Sequence, residues 1–438
     1  MIKTIARCMS HALQGGTPLF MLLIIFIYAS CTSDNELEPA VAEPTGVPVE
    51  LKSYVAGYQE PTAETRAGER PTPNPIPEQS SPTRSLSREG GEESSGETRA
   101  GVTRAWTVPT GFTATSGEFA NKSISVFFTQ ETGEPEGGYE EEFFFVSSGK
   151  WRVSKTDLAA ANYYLYGYVP HEKYVDASVT APEGKTFADG ATLTLRDLPS
   201  LTATDYCIIV GAKEGTNADT HNGLTRGLFT YAAQPTSGTG QGSNYVFLLF
   251  EHLYASLRVS MKMSTTKANG VTYYDLRTIK LKKLSLQTGI DNGTETVKTT
   301  KYSNATITLA KKDDGKSPIT NVEFTSVPGA EEADGVIYEN ENGLELTTSD
   351  SEFMFYFMPQ GINTLILTSV YDVYDKQGNL VRKDCMATNT IQLSEVFDQQ
   401  YETYSGTRYS IYMTLRPSYL YVMSDPDAAI DKPEMVVE

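Results

Sequence analysis

Leu257-Arg-Val-Ser-Met-Lys-Met263 alternates apolar and polar residues without a break. A period of two marks a half-buried β-strand, because successive strand side chains point to opposite faces. The same pattern recurs on both sides of it, in Ser123-Ile-Ser-Val-Phe-Phe128, Thr192-Leu-Thr-Leu195, Ala305-Thr-Ile-Thr-Leu309 and Tyr409-Ser-Ile-Tyr-Met-Thr-Leu415. Continuous apolar runs lie between them: Cys207-Ile-Ile-Val210, Tyr245-Val-Phe-Leu-Leu-Phe250, Phe353-Met-Phe-Tyr-Phe-Met358 and Leu365-Ile-Leu367. These read as central strands of a sandwich. Turn clusters such as Glu134-Pro-Glu-Gly-Gly138, Lys312-Asp-Asp-Gly315 and Lys376-Gln-Gly-Asn379 separate the strands. No long helical stripe with caps occurs, and only Leu393 to Tyr401 suggests one short helix. Many short strands between turns predict an all-β chain of antiparallel sandwiches, from Trp106 onward.

Upstream of Trp106 the composition is different. Arg70-Pro-Thr-Pro-Asn-Pro-Ile-Pro77 predicts extended, polyproline-like chain. Residues 80–96 are rich in Ser, Gly, Glu and Arg, with Leu86 the one large apolar residue. Such chain buries too little apolar surface to offset its ordering entropy, so most of 31–105 reads as a Pro/Ser/Gly-rich linker. Val47-Pro-Val-Glu-Leu-Lys-Ser-Tyr-Val55 is the exception, a short strand. Glu64-Thr-Arg-Ala-Gly68 recurs as Glu97-Thr-Arg-Ala-Gly101, and Thr103-Arg104-Ala105 gives the central triplet again. Arginines between small residues in mobile chain are what an Arg-specific protease grips, which makes Arg66, Arg99 and Arg104 candidate cut sites. Slippage duplication in an unconstrained tail is the alternative.

The N-terminus carries Lys3 and Arg7, then an apolar run from Leu19 to Ala29 that is too short to span a bilayer as a helix. It has the length of a secretory h-region. Tyr28-Ala29-Ser30-Cys31, followed by Asp34 and Glu36, resembles the lipobox of a bacterial lipoprotein, although Tyr28 departs from the usual leucine. The resemblance implies signal cleavage between Ser30 and Cys31 and lipidation of Cys31, whose acyl chains would anchor the chain. An ordinary secretory signal with a chance cysteine is the alternative. The parts are then 1–30 signal, 31–105 linker, 106–243 first sandwich and 244–438 second sandwich with tail. Gln234-Pro-Thr-Ser-Gly-Thr-Gly-Gln-Gly-Ser243 marks the division, or else is a long hairpin loop inside one domain.

Lys+Arg 36 against Asp+Glu 55 leaves a net charge of −19, which argues against nucleic acid as a partner. Cys8 lies in the signal, leaving only Cys207 and Cys385 in the body, expected as separate buried thiols rather than a bridge. Chemistry-bearing motifs are lacking. His11, His171, His221 and His252 have no partner at helical metal-ligand spacing. Gly238 to Gly242 lacks the setting of a phosphate loop. Ser147-Ser-Gly-Lys150 matches Ser-x-x-Lys as chance would, and Asp425 to Asp431 lacks the glycine and terminal glutamate of a calcium loop. Neither an enzyme nor a cofactor is expected.

Three stretches together suggest a family. Trp151 with Tyr163-Tyr-Leu-Tyr-Gly-Tyr-Val-Pro170, then Phe250-Glu-His-Leu-Tyr-Ala-Ser-Leu-Arg-Val-Ser260, then Tyr409 through Asp425 resemble segments of the fimbrillin-like surface proteins of Bacteroidales. The resemblance covers most of 106–425. The long, proline-rich 32–105 departs from it. It implies two tandem transthyretin-like β-sandwiches and a lipidated precursor at the outer membrane. It also implies an Arg-specific cut, followed by assembly with other fimbrial subunits through strand addition. The resident strand is expected to be Ala105-Trp-Thr-Val-Pro109 if the cut is later, or Val102 to Val108 if it stays. A host or bacterial surface ligand is a further expected partner. The rival reading is a non-polymerising surface lipoprotein, an anchor, tip or glycan-binding protein held out on its linker.

Overall fold

The alternation read at 257–263 is the body of a strand, Ala255–Met263, in an almost entirely β molecule. The computed structural model describes residues 47–59, 111–115, 122–130, 139–147, 150–154, 162–214, 228–230, 244–265, 270–310, 317–359, 361–396, 403–417 and 433–437. Strands are numbered here in chain order, so Ala255–Met263 is β13.

Seven strands close into a ring. In spatial order they are β10 (Cys207–Glu214), β12 (Asn244–His252), β1 (Val47–Ala56), β5 (Lys150–Val153), β4 (Tyr139–Ser147), β3 (Ile124–Thr129) and β6 (Asn162–Val169). Closure comes from β6 pairing back onto β10, Val169 with Cys207 and Tyr168 with Ile208. Short β2 (Phe112–Ala114) adds to β1, and β11 (Leu228–Thr230) adds to β6. A four-stranded sheet packs outside the ring: β7 (Asp176–Thr180), β8 (Gly190–Pro199), β16 (Tyr302–Ala310) and β17 (Ile319–Ser326). The continuous apolar runs now have a cause. Cys207 and Ile209 belong to the cluster inside the ring, whereas Ile208 and Val210 belong to the cluster between ring and outer sheet. A strand covered on both faces has no polar side to show.

The second sandwich faces β22 (Arg408–Pro417), β13, β19 (Ser351–Phe357) and edge strands β9 (Leu201–Thr202) and β23 (Pro433–Val437) against a second sheet. That sheet holds β14 (Arg277–Asp291), β20 (Thr364–Asp375), β21 (Leu380–Gln392), β15 (Thr296–Lys298) and β18 (Gly335–Leu346). Leu257, Val259, Met261, Ile279, Leu281, Leu367 and Ile411 fill the space between. β13 is more enclosed than its pattern implies, since Ser256 and Ser260 are buried too. β19 is less so: Met354 of its apolar run faces solvent, as does Glu352 just before the run.

The sheets do not divide at 243. β12 pairs with β10 and β1, so it belongs to the ring, and the glycine-rich 234–243, outside the described residues, joins two strands of one sheet. β16 and β17 return from later in the chain to complete the first sandwich on β8. Nor is 47–59 linker, because β1 is a full member of the ring. One helical turn, α2 (Leu393–Val396), lies where a short helix was expected. Another, α1 (Tyr273–Leu276), begins in a capping box between Thr272 and Asp275 that the hydrophobic pattern did not reveal.

Candidate functional site

β1 owes its place to its own alternation. Val49, Leu51 and Val55 join the core inside the ring, and Tyr54 and Ala56 pack on the outer core. Residues Val49 to Val55 run parallel to Asn244 to Phe250 of β12. The opposite edge of β1 pairs antiparallel with β5 at Val47 to Val49 and with β2 at Tyr54 to Ala56. Among the described ring pairs, that of β1 with β12 is the parallel one; the rest are antiparallel.

Beyond β1 the chain crosses to the second sandwich. Gly57 N–H donates to the Gly111 carbonyl at 2.9 Å, and Gln59 N–H donates to the Gly406 carbonyl at 2.9 Å. Arg408 N–H returns a bond to the Gln59 carbonyl at 2.7 Å. Between these bonds Tyr58 enters a cleft. Its hydroxyl donates to Asp205 Oδ1 at 2.9 Å. Its ring stacks on the His252 imidazole, centroids 3.6 Å apart and planes 17° from parallel. The Arg408 guanidinium sits 5.0 Å from the same ring centre and the Tyr356 ring 6.3 Å away.

His252 is the hub. Its Nε2 lies 2.7 Å from the Ala56 carbonyl, and its Nδ1 lies 2.9 Å from Asp205 Oδ2 and 3.3 Å from Cys207 Sγ. The carbonyl and the carboxylate are both acceptors, one beside each ring nitrogen. Asp205, Cys207 and His252 are also metal-type groups, with ligand atoms within 4.8 Å of one another. Yet each is engaged in a bond that needs no ion. A Cys–His–Asp relay is excluded by geometry: thiol and carboxylate share Nδ1, whereas a relay needs them on opposite nitrogens. The arrangement holds the chain that follows β1 by the Tyr58 hydroxyl, its ring face and the flanking backbone. Burial, followed by the Asp205 charge, pushes the Tyr58 phenol well above its ordinary range and keeps it a hydroxyl donor.

The Cys207 thiol is likewise pushed well up by burial and by Asp205, so it stays protonated and unreactive. Cys385 lies half-buried on β21, in a different sheet, and no disulfide joins the two. Alkylation of the native protein at pH 8 is expected to label Cys207 about a hundredfold more slowly than Cys385. Peptide mass mapping against time would show this, and equal labelling would contradict it.

Ser30, Cys31, Arg66, Arg99 and Arg104 all lie outside the described residues, as does Val102 to Pro109, the expected resident strand. The N-terminal strand seated in the body is β1. The three arginines fall in chain between Gln59 and Gly111, so a cut after any of them would part β1 from the body and leave β2 attached. His171 is half-buried, 4.0 Å from Glu140, and Ser147 and Lys150 face each other across a hairpin. His221, the glycine run 238–242 and Asp425 to Asp431 lie outside the described residues. Tyr58, Asp205 and Arg408 escaped notice in the sequence. The visible signals were Asp205 placed just before an apolar strand and His252 placed just after one.

No protein-family model and no curated protein matches the chain. Among solved structures it is similar to a candidate cell adhesion protein of Bacteroides fragilis, at 9% identity over 89% of this chain and 96% of that one, with a TM-score of 0.37. A candidate cell adhesion protein of Bacteroides uniformis is 12% identical over 73% and 91%, with a TM-score of 0.33. The fimbrial anchor protein Mfa2 of Porphyromonas gingivalis is 8% identical over 89% and 96%, with a TM-score of 0.26.

Proposed function

We propose that the chain is a structural subunit of a cell-surface fimbria, or an adhesin associated with one, and not an enzyme. In this reading it is exported as a lipoprotein acylated at Cys31 and assembles by strand exchange after an Arg-specific cut. The observation that carries it is the placement of β1. It is central in the ring, and its covalent link to the body runs through the stretch that holds Arg66, Arg99 and Arg104. One cut would leave β1 held by non-covalent bonds alone, and would separate the body from a lipid on Cys31. Departure of β1 bares the β12 edge and the ring core, and an edge so exposed recruits another strand.

The second reading, an anchored tip, anchor or glycan-binding lipoprotein, draws on the same geometry. An uncut β1, fastened through Tyr58 and His252, would tie the body to the membrane. Intact mass of protein recovered from the cell surface separates the two. A core beginning after Arg66, Arg99 or Arg104 and free of lipid is the expected result. A full-length chain acylated at Cys31 would favour the anchored reading. Label from a palmitate analogue should vanish in Cys31→Ala, and undiminished label would sink the lipid assignment.

A further inference from the structure

Main-chain hydrogen bonds between β1 and β12 are blind to sequence, and a strand keeps its inward and outward faces when it slips by two residues. The ladder alone therefore does not fix which strand enters the groove, or in what register. The cleft beyond it does. Asp205 precedes β10, His252 ends β12, Tyr356 lies on β19 and Arg408 opens β22. Four separate elements from both sandwiches thus meet on one phenol. Asp205 takes the hydroxyl, His252 takes a ring face, and Arg408 adds a cation over the π-system.

We propose that this cleft is a recognition subsite for a tyrosine of the incoming strand, set three positions past the last residue registered on β12. The occupant is an extended segment of another subunit running in the direction of β1, so the inference rests on the strand-exchange reading. The residue left behind supplies the physical reason. When Tyr58 departs, Asp205 Oδ1 loses its donor, His252 Nε2 loses the Ala56 carbonyl, and Gly406 and Arg408 lose both backbone bonds to Gln59. Polar groups stranded in a part-buried cleft are costly, so an occupant that restores all of them is selected over one that restores the ladder alone. Phenylalanine covers His252 but leaves Asp205 Oδ1 without the hydroxyl donor. Alanine restores neither.

The test uses the full chain, cut within 60–110 by an Arg-specific protease and held in urea below its unfolding transition. Fluorescein-labelled peptides of residues 47–59 are then added and incorporation is read by anisotropy. The unaltered peptide should enter. Tyr58→Phe should bind roughly tenfold more weakly and Tyr58→Ala roughly a hundredfold more weakly. In the Asp205→Ala chain the difference between Tyr and Phe peptides should disappear, as expected for a coupled pair. Equal binding of all three peptides to the unaltered chain would overturn the subsite while leaving strand exchange intact. Failure of every peptide to enter would overturn strand exchange and the subsite with it.

Discussion

A chain that begins at residue 60, and so lacks β1, is expected to lose its monomeric fold. Val49 is 3% exposed inside the ring, and Leu51, Tyr54, Val55 and Ala56 are partly buried around it. Each fully buried side chain of this size contributes roughly 1.5–3 kcal/mol, and each ladder hydrogen bond about 1 kcal/mol net. The total is on the order of 5–10 kcal/mol, comparable with the whole stability of a domain. What remains is an open ring with a bare β12 edge. The shortened chain should therefore melt far lower and run as oligomers on a sizing column. A chain that begins at residue 46, just ahead of β1, should behave as the intact body does. A monomeric chain from residue 60 with unchanged melting would show that β1 is dispensable, and strand exchange would lose its driving force.

Gly167→Ala is expected to be nearly as damaging through a single methyl group. Gly167 lies on β6 opposite Val126 of β3, at a φ of +159°. A Cβ built there would meet the Ser125 carbonyl oxygen at 2.0 Å and the Val126 Cα at 3.1 Å. Both are backbone atoms of the neighbouring strand, so no rotamer change relieves the clash. Either β3 and β6 part or the ring distorts, which places the cost at about 4 kcal/mol or more. That corresponds to a fall in Tm of about 8–16 °C. Gly184→Ala is the control. Its φ is +67°, but no atom lies within 4 Å of the added methyl, so it should lose about 1–2 kcal/mol from backbone strain alone. Thermal melts followed by circular dichroism would compare the two. Similar losses would mean that β3 and β6 are not packed this closely.

Gly167 also marks how far the sequence could be read. Tyr163-Tyr-Leu-Tyr-Gly-Tyr-Val-Pro170 was legible only as part of the resemblance, and a strand lies there. Its glycine carried no visible reason, because the reason is a carbonyl on another strand. The candidate site divides in the same way. Val47 to Val55 was legible as a short strand within the linker. That it sits in the ring, and that Tyr58 just past it is gripped by Asp205, His252 and Arg408, was not.

By itself the sequence determined the class of structure. Alternation is local: it follows from successive side chains pointing to opposite faces, so β8, β13, β16 and β22 announce themselves over a few residues. The order of β1, arginine-bearing connection and body is equally a property of the sequence. The tertiary structure decided which strand pairs with which. Many strands here carry the same apolar pattern, and backbone ladders accept any of them. Only side-chain packing across the finished core chooses β12 for β1, returns β16 to β8, and brings the His252 ring within 2.7 Å of the Ala56 carbonyl at a separation of 196 residues.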